Sequence, residues 1–416
     1  MLRITNQIFK NLISLASAEV ISKIIALITA AYLGRILKPE GFGILGFATA
    51  FVSYFLLMVN FGLDTYGTRE IAKDKSLLSK LVNNIISIRV LFAIVWYIIF
   101  SIVIISIDKP LIVKLVLFIT AINLFVNALS INWLFIGIEK MWLIAIRQIM
   151  TNLLSLIGII FLVRSERDIF LAAGVTVISS LVNSIWMIRI YNRMYSKVLF
   201  EIDKTYLKVI LKESLPLVFS SFMIAIYYNL DMVMLGYMKP GEDVGIYSAA
   251  YKIILVGLIP FILILNSFFP SLSKIGLTKS LEFRNIIKQY AVLMLSAGII
   301  VSSIIYFNAS RIIDIVFGNQ YDRAAAPLSI LALNLLVISV NIFFGNPLIA
   351  WGKQKEYSVA IAFGAVTNII LNILLIPKYS YIGASLATLM AEVAVFVGVF
   401  YLFNKFTLKL FSKSNN

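Results

Sequence analysis

Apolar runs of roughly 18 residues or more recur along the whole chain, and a run of that length can cross a membrane as a helix. Hydrophobic residues make up 61% of the 416 residues and charged residues only 13%, whereas soluble domains carry about 25% charged residues. In lipid, backbone polar groups must be paired within the protein, which favours helices. We therefore predict an all-α, polytopic membrane protein of about 12 transmembrane helices. They lie near residues 12–33, 43–63, 85–106, 111–137, 141–163, 169–188, 215–236, 245–270, 290–308, 325–350, 357–376 and 382–404.

Basic residues are distributed unevenly between the predicted connecting segments. With the N-terminus inside, the internal segments hold 23 of the 36 Lys and Arg residues, the external segments nine and the spans four. Because loops rich in Lys and Arg remain on the cytoplasmic side, both termini are predicted to be cytoplasmic, in a multi-pass protein of the cell membrane. The same residues face anionic membrane lipids, which accounts for most of the net charge of +16 without nucleic acid as a partner.

The residue inventory argues against an enzyme. The chain has no cysteine and no histidine, which excludes disulfides, thiolate chemistry and imidazole metal ligands. The motif of Gly41, Gly43 and Gly46, with Asp64 about 20 residues later, has the spacing of a dinucleotide-binding fingerprint. No predicted strand precedes it and its helix is apolar all round, so we interpret it as a turn and a close helix contact. We expect no cofactor and no metal site.

The two halves of the sequence resemble each other. A turn with the same glycine and Lys-Pro pattern follows the first and the seventh predicted spans, and the glycines match at an offset of 202 residues. The matched residues are Gly34, Lys38, Pro39 and Gly43 in the first half and Gly236, Lys239, Pro240 and Gly245 in the second. Six spans per half predict a parallel repeat, which is typical of secondary transporters. We predict a six-helix N-terminal lobe (1–190), a cytoplasmic linker with an interfacial helix (191–213) and a six-helix C-terminal lobe (214–416).

Three motifs resemble those of one membrane protein family. They are the first turn, the stretch after it at Gly67-Thr68-Arg69-Glu70-Ile71-Ala72, and Ser214-Leu215-Pro216 through Asn229-Leu230-Asp231 to Val244-Gly245-Ile246-Tyr247. The chain resembles the polysaccharide exporters and lipid-linked oligosaccharide flippases, whose superfamily includes the lipid II flippases and the multidrug and toxin extrusion antiporters. This resemblance implies two pseudo-symmetric lobes around a central cavity, alternating access, and export of an isoprenoid-pyrophosphate-linked oligosaccharide for cell-surface polysaccharide assembly. It also implies glycan-assembly enzymes as partners, and we expect a functional monomer.

Ionisable residues inside the spans are candidate site residues, since a charge at the bilayer centre costs about 2.5–3.5 kcal/mol. Glu19 and Lys23 are four residues apart on one helix face. Asp231 and Lys252 are predicted at similar depth in neighbouring helices, and Glu392 lies centrally in the last span without an obvious partner. Each pair either holds helices together or binds the substrate; the sequence leaves both readings open. By contrast, three residues near span ends are interpreted as anchors that reach the headgroups: Arg89, Lys114 and Arg147.

The chemistry of a pyrophosphate and a sugar suggests roles for these residues. Lys23 and Lys252 would offset the charge of a pyrophosphate that leaves water. Polar and aromatic side chains close to them would contact the sugar: Tyr228, Asn229 and Tyr251. Glu392 could take up a coupling ion, Na⁺ or H⁺. The alternative function is a cation-coupled antiporter of drugs or small molecules, which the Glu19 carboxylate supports and the balancing lysines disfavour.

The charge asymmetry makes the topology testable. Because the chain has no native cysteine, single cysteines report position without background. Glu242→Cys is expected to react in whole cells with a membrane-impermeant thiol reagent, and Glu201→Cys to react only after permeabilisation. The opposite pattern would contradict the orientation.

Overall fold

The computed structural model describes the backbone of residues 2–275 and 281–412, and their side chains except those of residues 2–16, 204–206, 216–217, 219–228 and 408–412. These ranges contain helices and no strand, which confirms the predicted all-α class. Three short 3₁₀ segments, Lys75–Leu77, Glu166–Asp168 and Asn319–Ala324, separate some of the α-helices. The α-helices are α1 (Leu2–Asn60), α2 (Leu63–Lys73), α3 (Leu78–Ser106), α4 (Leu111–Ala121), α5 (Asn123–Ala128), α6 (Asn132–Gly137), α7 (Met141–Leu162), α8 (Ile169–Met194), α9 (Lys204–Met238), α10 (Gly241–Gly257), α11 (Ile259–Ile275), α12 (Leu281–Phe307), α13 (Ala309–Phe317), α14 (Ala325–Ala350) and α15 (Gln354–Ser412).

Within the described ranges, nine helical stretches are long and apolar enough to cross a membrane. Two of them are much longer than one crossing requires: Ser17–Asn60 has 44 residues and Gln354–Thr407 has 54. A hydrocarbon core about 30 Å thick needs only about 20 helical residues. Each of these two stretches therefore has the length of two membrane crossings.

Helix α15 reverses direction at Ser380, the one residue inside it with non-helical backbone angles (φ 49°, ψ −129°). Its two halves pack together, because Ala360 shares a hydrophobic cluster with Val395 and Val399. The reversal is tight: a Cβ atom on Gly383 would lie 2.4 Å from the carbonyl oxygen of Leu375. Only glycine fits so close an approach. The reversal and the packing of its two halves make α15 a helical hairpin.

The two repeated Lys-Pro pairs both break helices. Lys38 in α1 has φ 58° and directly precedes Pro39, while α9 ends at Met238 and α10 begins after Pro240. Proline cannot donate to the helix and disfavours helical angles in the residue before it. The sequence repeat therefore has a structural counterpart. The count of twelve spans stays a prediction, since the seventh predicted span lies in α9, many of whose side chains are outside the described part.

The chain divides into two compact units, Met1–Ala225 and Ile226–Asn416, here called unit 1 and unit 2. The division falls within α9, so the predicted interfacial helix around Tyr206–Lys212 runs on into the predicted seventh span without a break. The proposed limits of the lobes and linker, at residues 190 and 214, remain predictions.

Unit 1 contains a large hydrophobic cluster in which the short helices α2 and α6 pack against α3 and α8. Trp133 of α6 is fully buried at its centre. Helix α2 approaches this ring at Gly67, where a Cβ atom would lie 2.5 Å from the indole. The small residue in the Gly-Thr-Arg-Glu stretch is therefore required by packing.

We expect Gly67→Ala to destabilise the protein relative to Gly174→Ala by about 1–3 kcal/mol, the cost of overpacking a core. Gly174 is the matched control, because it also lies within a helix and nothing approaches its Cβ position within 4 Å. Both substitutions gain the same helix propensity, so the difference isolates the clash. Thermal unfolding in detergent measures it, and equal midpoints would contradict the packing account.

Candidate functional site

A buried carboxylate in unit 2, that of Asp231, is surrounded by side chains that donate hydrogen bonds to it. Asp231 is 5% exposed. Its Oδ1 accepts hydrogen bonds from two amides and its Oδ2 from two hydroxyls. The donors are Asn368 Nδ2 (2.9 Å), Asn372 Nδ2 (2.5 Å), Tyr247 Oη (3.0 Å) and Thr388 Oγ1 (2.5 Å).

Three helices bring this cluster together. Asp231 lies on α9 and Tyr247 on α10, while the amides and the threonine lie on opposite halves of the α15 hairpin. In a straight helix Asn368 and Thr388 would be about 30 Å apart; the reversal at Ser380 lets both bind one carboxylate. Asn368 and Asn372 are one helical turn apart and also bond to each other at 3.0 Å. The cluster thus depends on the hairpin.

The charge of Asp231 has no cationic partner in the part of the chain whose side chains are described. Among the described side chains, no lysine or arginine forms an ion pair with it. The expected pairing of Asp231 with Lys252 is therefore wrong: neutral groups surround the carboxylate, and Tyr247 of α10 takes the place expected for the lysine. Burial of a carboxylate is costly unless hydrogen bonds or a cation compensate. Here neutral donors compensate, and one negative charge remains.

One oxygen in the cluster is left without a donor. Asn372 Oδ1 is buried and has no hydrogen-bond partner among the described residues. Rotating the side-chain amide of Asn372 by half a revolution would exchange its oxygen and nitrogen, so that Oδ1 would face Asp231. In that orientation Asn372 Nδ2 would no longer donate to Asp231 Oδ1, and an amide oxygen would face the carboxylate. Amide and carboxylate oxygens are ligand types that hard cations prefer.

Of the predicted sugar-contacting residues of α9 and α10, Tyr251 contacts a residue of this cluster. Tyr251 stacks on Tyr247, with ring centroids 6.0 Å apart and 15° between the planes. Asn229 is half-buried, two residues before Asp231, and so faces another side of α9. The side chain of Tyr228 lies outside the described residues.

Glu392, the candidate in the last span, has a partner that the sequence did not indicate. Its carboxylate is 6% exposed. Asn341 Nδ2 of α14 donates to its Oε2 at 2.6 Å and to its backbone oxygen at 3.0 Å. Glu392 lies one helical turn beyond Thr388, so a second buried carboxylate follows the Asp231 cluster along the same half of α15.

In unit 1 the predicted pair of Glu19 and Lys23 is present. Lys23 Nζ and Glu19 Oε1 are 3.3 Å apart on one face of α1. The side chains are 40% exposed for Glu19 and 25% for Lys23. An ion pair this accessible contributes little to stability, so both groups are available to a ligand.

A buried network around Arg89 was missed from the sequence. Arg89 is completely buried, not a headgroup anchor as expected from its position near a span end. Its Nη2 lies 2.6 Å from Asp64 Oδ1 and 3.1 Å from Asn60 Oδ1, and its Nη1 donates to the Ser130 carbonyl at 3.0 Å. Asn60 Nδ2 completes the network by donating to Asp64 Oδ2 at 2.6 Å. The network holds the break between α1 and α2. Asp64, which has the spacing of a dinucleotide-binding fingerprint, therefore has a structural role in this network.

The two other residues read as anchors differ in their surroundings. Lys114 is half-buried in the first turn of α4, where its Nζ donates to the Ile105 carbonyl at 3.1 Å, and its role as an anchor stays a prediction. Arg147 of α7 is half-buried, within electrostatic range of Asp64. Arg147 Nε has no hydrogen-bond partner among the described residues.

Comparisons with known families and relatives agree with each other. A family model described as polysaccharide biosynthesis protein matches residues 8–276, and the MatE model matches residues 216–374. A putative O-antigen transporter of Escherichia coli K12 is 27% identical over 93% of this chain and 94% of its own length. The capsular polysaccharide biosynthesis protein CapF of Staphylococcus aureus is 25% identical over 70% of this chain and 74% of its own length.

The solved structure of lipid II flippase MurJ in an inward closed conformation has a similar fold. It matches with a TM-score of 0.75 at 18% identity, covering 96% of this chain and 91% of that chain. At this identity the likeness shows the fold alone. It confirms the predicted fold class, a polytopic bundle of helices.

The Arg89 network predicts a coupled effect on stability. Asp64→Asn is expected to cost about 2 kcal/mol, because it removes charge-assisted hydrogen bonds from a buried guanidinium. Combining it with Arg89→Met should cost less than the sum of the single changes. Asp203→Asn is the control, because it disrupts the exposed pair with Lys80 and should cost less than about 1 kcal/mol. Additive losses in thermal unfolding would exclude a direct interaction.

Proposed function

The chain belongs to the polysaccharide biosynthesis protein family, and on this premise we propose that it flips an isoprenoid-pyrophosphate-linked oligosaccharide across the cytoplasmic membrane. The observation that carries the proposal is the similarity over 93% of the chain to a putative O-antigen transporter. The chain is a membrane transporter and not an enzyme. It supplies glycan for cell-surface polysaccharide assembly by alternating access.

The second candidate is a cation-coupled antiporter of drugs or small molecules. The match of the MatE model to residues 216–374 favours it, and so does the negative charge of Asp231 within that range. The flippase is preferred because the family model spans 8–276 and the named relatives act in surface polysaccharide export or synthesis.

Transport is coupled to a cation, Na⁺ or H⁺, at the Asp231 cluster. A buried carboxylate with neutral donors carries an uncompensated charge, and the donorless Asn372 Oδ1 supplies one more ligand. A cation there would neutralise the charge and use the free oxygen. From the sequence, Glu392 was the expected residue for the coupling ion. We propose Asp231 in its place, because Asn341 already binds the Glu392 carboxylate.

The substrate charge is assigned to the two lysines of the spans. Lys23 is within reach of solvent, and among the described side chains Lys252 forms no ion pair. Each offers a cation for a pyrophosphate that must give up water. We place both termini and the glycan-assembly enzymes on the cytoplasmic side, with the protein acting as a monomer.

The function is tested by the appearance of lipid-linked glycan in the outer leaflet of cells or proteoliposomes. We expect Lys23→Gln and Lys252→Gln to abolish flipping, because each removes a charge that offsets the pyrophosphate. Lys→Arg at either position should retain part of it. Lys73→Gln, which removes an exposed lysine paired with Glu70, is the control and should flip at the wild-type rate. If both span variants match that control, the substrate assignment is wrong.

The cation site is tested by ligand stabilisation of the purified protein. At a Na⁺ concentration about 100 times its Kd, binding would stabilise the folded state by about 2.7 kcal/mol. We expect NaCl to raise the unfolding temperature of the wild type above that in choline chloride of equal ionic strength. Asp231→Asn should abolish this increase and Glu19→Gln should preserve it.

The outcomes separate the two ions. Stabilisation that follows pH and not Na⁺, and that still requires Asp231, assigns the site to H⁺. Stabilisation that Asp231→Asn leaves intact contradicts a cation at this cluster.

A further inference from the structure

A groove of about 330 Å³ runs between α7 and α8 on unit 1, and none of the residues assigned to transport lines it. Its walls are formed mainly by apolar side chains, and a guanidinium lies among them. The residues that line it include Met150, Leu154, Val182, Ile185, Trp186 and Arg189. The four aliphatic side chains among them are 36–48% exposed. The groove is therefore accessible at the surface of unit 1 and is lined mainly by hydrocarbon.

The charge lies at one end of this groove. Arg189 is five residues before the end of α8 at Met194, or about 7–8 Å along the helix axis. Val182 lies seven residues deeper, about 10 Å further into the membrane. The groove thus places a cation near headgroup depth and an apolar channel below it.

Arg189 has no acidic partner among the residues that the structure describes. All twenty Asp and Glu residues are among those whose side chains the structure describes, and none forms an ion pair with Arg189. Three other arginines have an acidic partner: Arg69 with Glu213, Arg89 with Asp64 and Arg323 with Glu242. An unneutralised guanidinium at the end of an apolar groove lacks an anion, and the lipid around it supplies phosphates.

We propose that this groove binds an anionic membrane phospholipid, with its phosphate on Arg189 and one acyl chain between α7 and α8. Basic pockets between transmembrane helices on the cytoplasmic side bind anionic headgroups. The guanidinium fork matches phosphate oxygens, and the walls match an acyl chain. The occupant is a resident lipid and not the transported one, so the site exists whichever substrate the chain moves.

The test is lipid retention by the delipidated, purified protein. The protein is incubated with equal amounts of phosphatidylglycerol and phosphatidylcholine of identical acyl chains, and bound lipid is counted by native mass spectrometry. One basic contact near a membrane surface predicts a preference of about fivefold for the anionic lipid. Arg189→Gln should remove the preference. Arg193→Gln should keep it, because Arg193 is exposed one turn further along α8 and does not line the groove.

A second pair of variants tests the acyl channel independently of charge. Val182→Trp fills the groove and should reduce retention of both lipids. Leu171→Trp adds the same ring at an exposed position of α8 outside the groove and should change nothing. The proposal is overturned if Arg189→Gln keeps the preference, or if Val182→Trp retains both lipids as the wild type does. It is also overturned if polyprenyl phosphate displaces phosphatidylglycerol at equal concentration, because the groove would then hold the glycan carrier.

Discussion

The need to pair every polar group inside lipid governs the structure, and Asp231 shows it most clearly. The carboxylate of this α9 residue, which is 5% exposed, is bound by four neutral donors from two further helices. The donors offset its desolvation but leave its charge. Those donors converge only because α15 reverses at Ser380. Charge burial and backbone strain are thus linked at one place in unit 2.

Unit 1 solves the same problem in another way. The buried Arg89 is matched by the carboxylate of Asp64, so the charge is cancelled where it arises. Such a network fixes the break between α1 and α2 and leaves nothing for a ligand to neutralise. The charge of Arg89 is cancelled by a neighbouring carboxylate, whereas that of Asp231 is hydrogen-bonded but not cancelled. We therefore assign a structural role to Arg89 and ion coupling to Asp231.

The sequence predicted what depends on local composition. Apolar run lengths indicated the helical membrane class, and the Lys-Pro pairs marked two helix breaks, at Lys38 and after Met238. Charged residues in spans identified Asp231 and Glu392 as buried. Partners were beyond reach, because Asn368 and Thr388 are more than 130 residues from Asp231 and carry no charge to mark them. The prediction that Arg89 is a headgroup anchor was wrong, because it used only the position of the residue along the span. Which face of the helix carries the side chain decides whether it contacts headgroups or protein.

The most direct measurement places purified wild-type protein in proteoliposomes with both a labelled lipid-linked oligosaccharide and an organic cation. Movement of each is followed with and without a Na⁺ or proton gradient. The account predicts that the glycan crosses, that a cation gradient accelerates it, and that the organic cation stays where it was loaded. Export of the organic cation against the gradient, with the glycan immobile, would contradict the account and identify an antiporter.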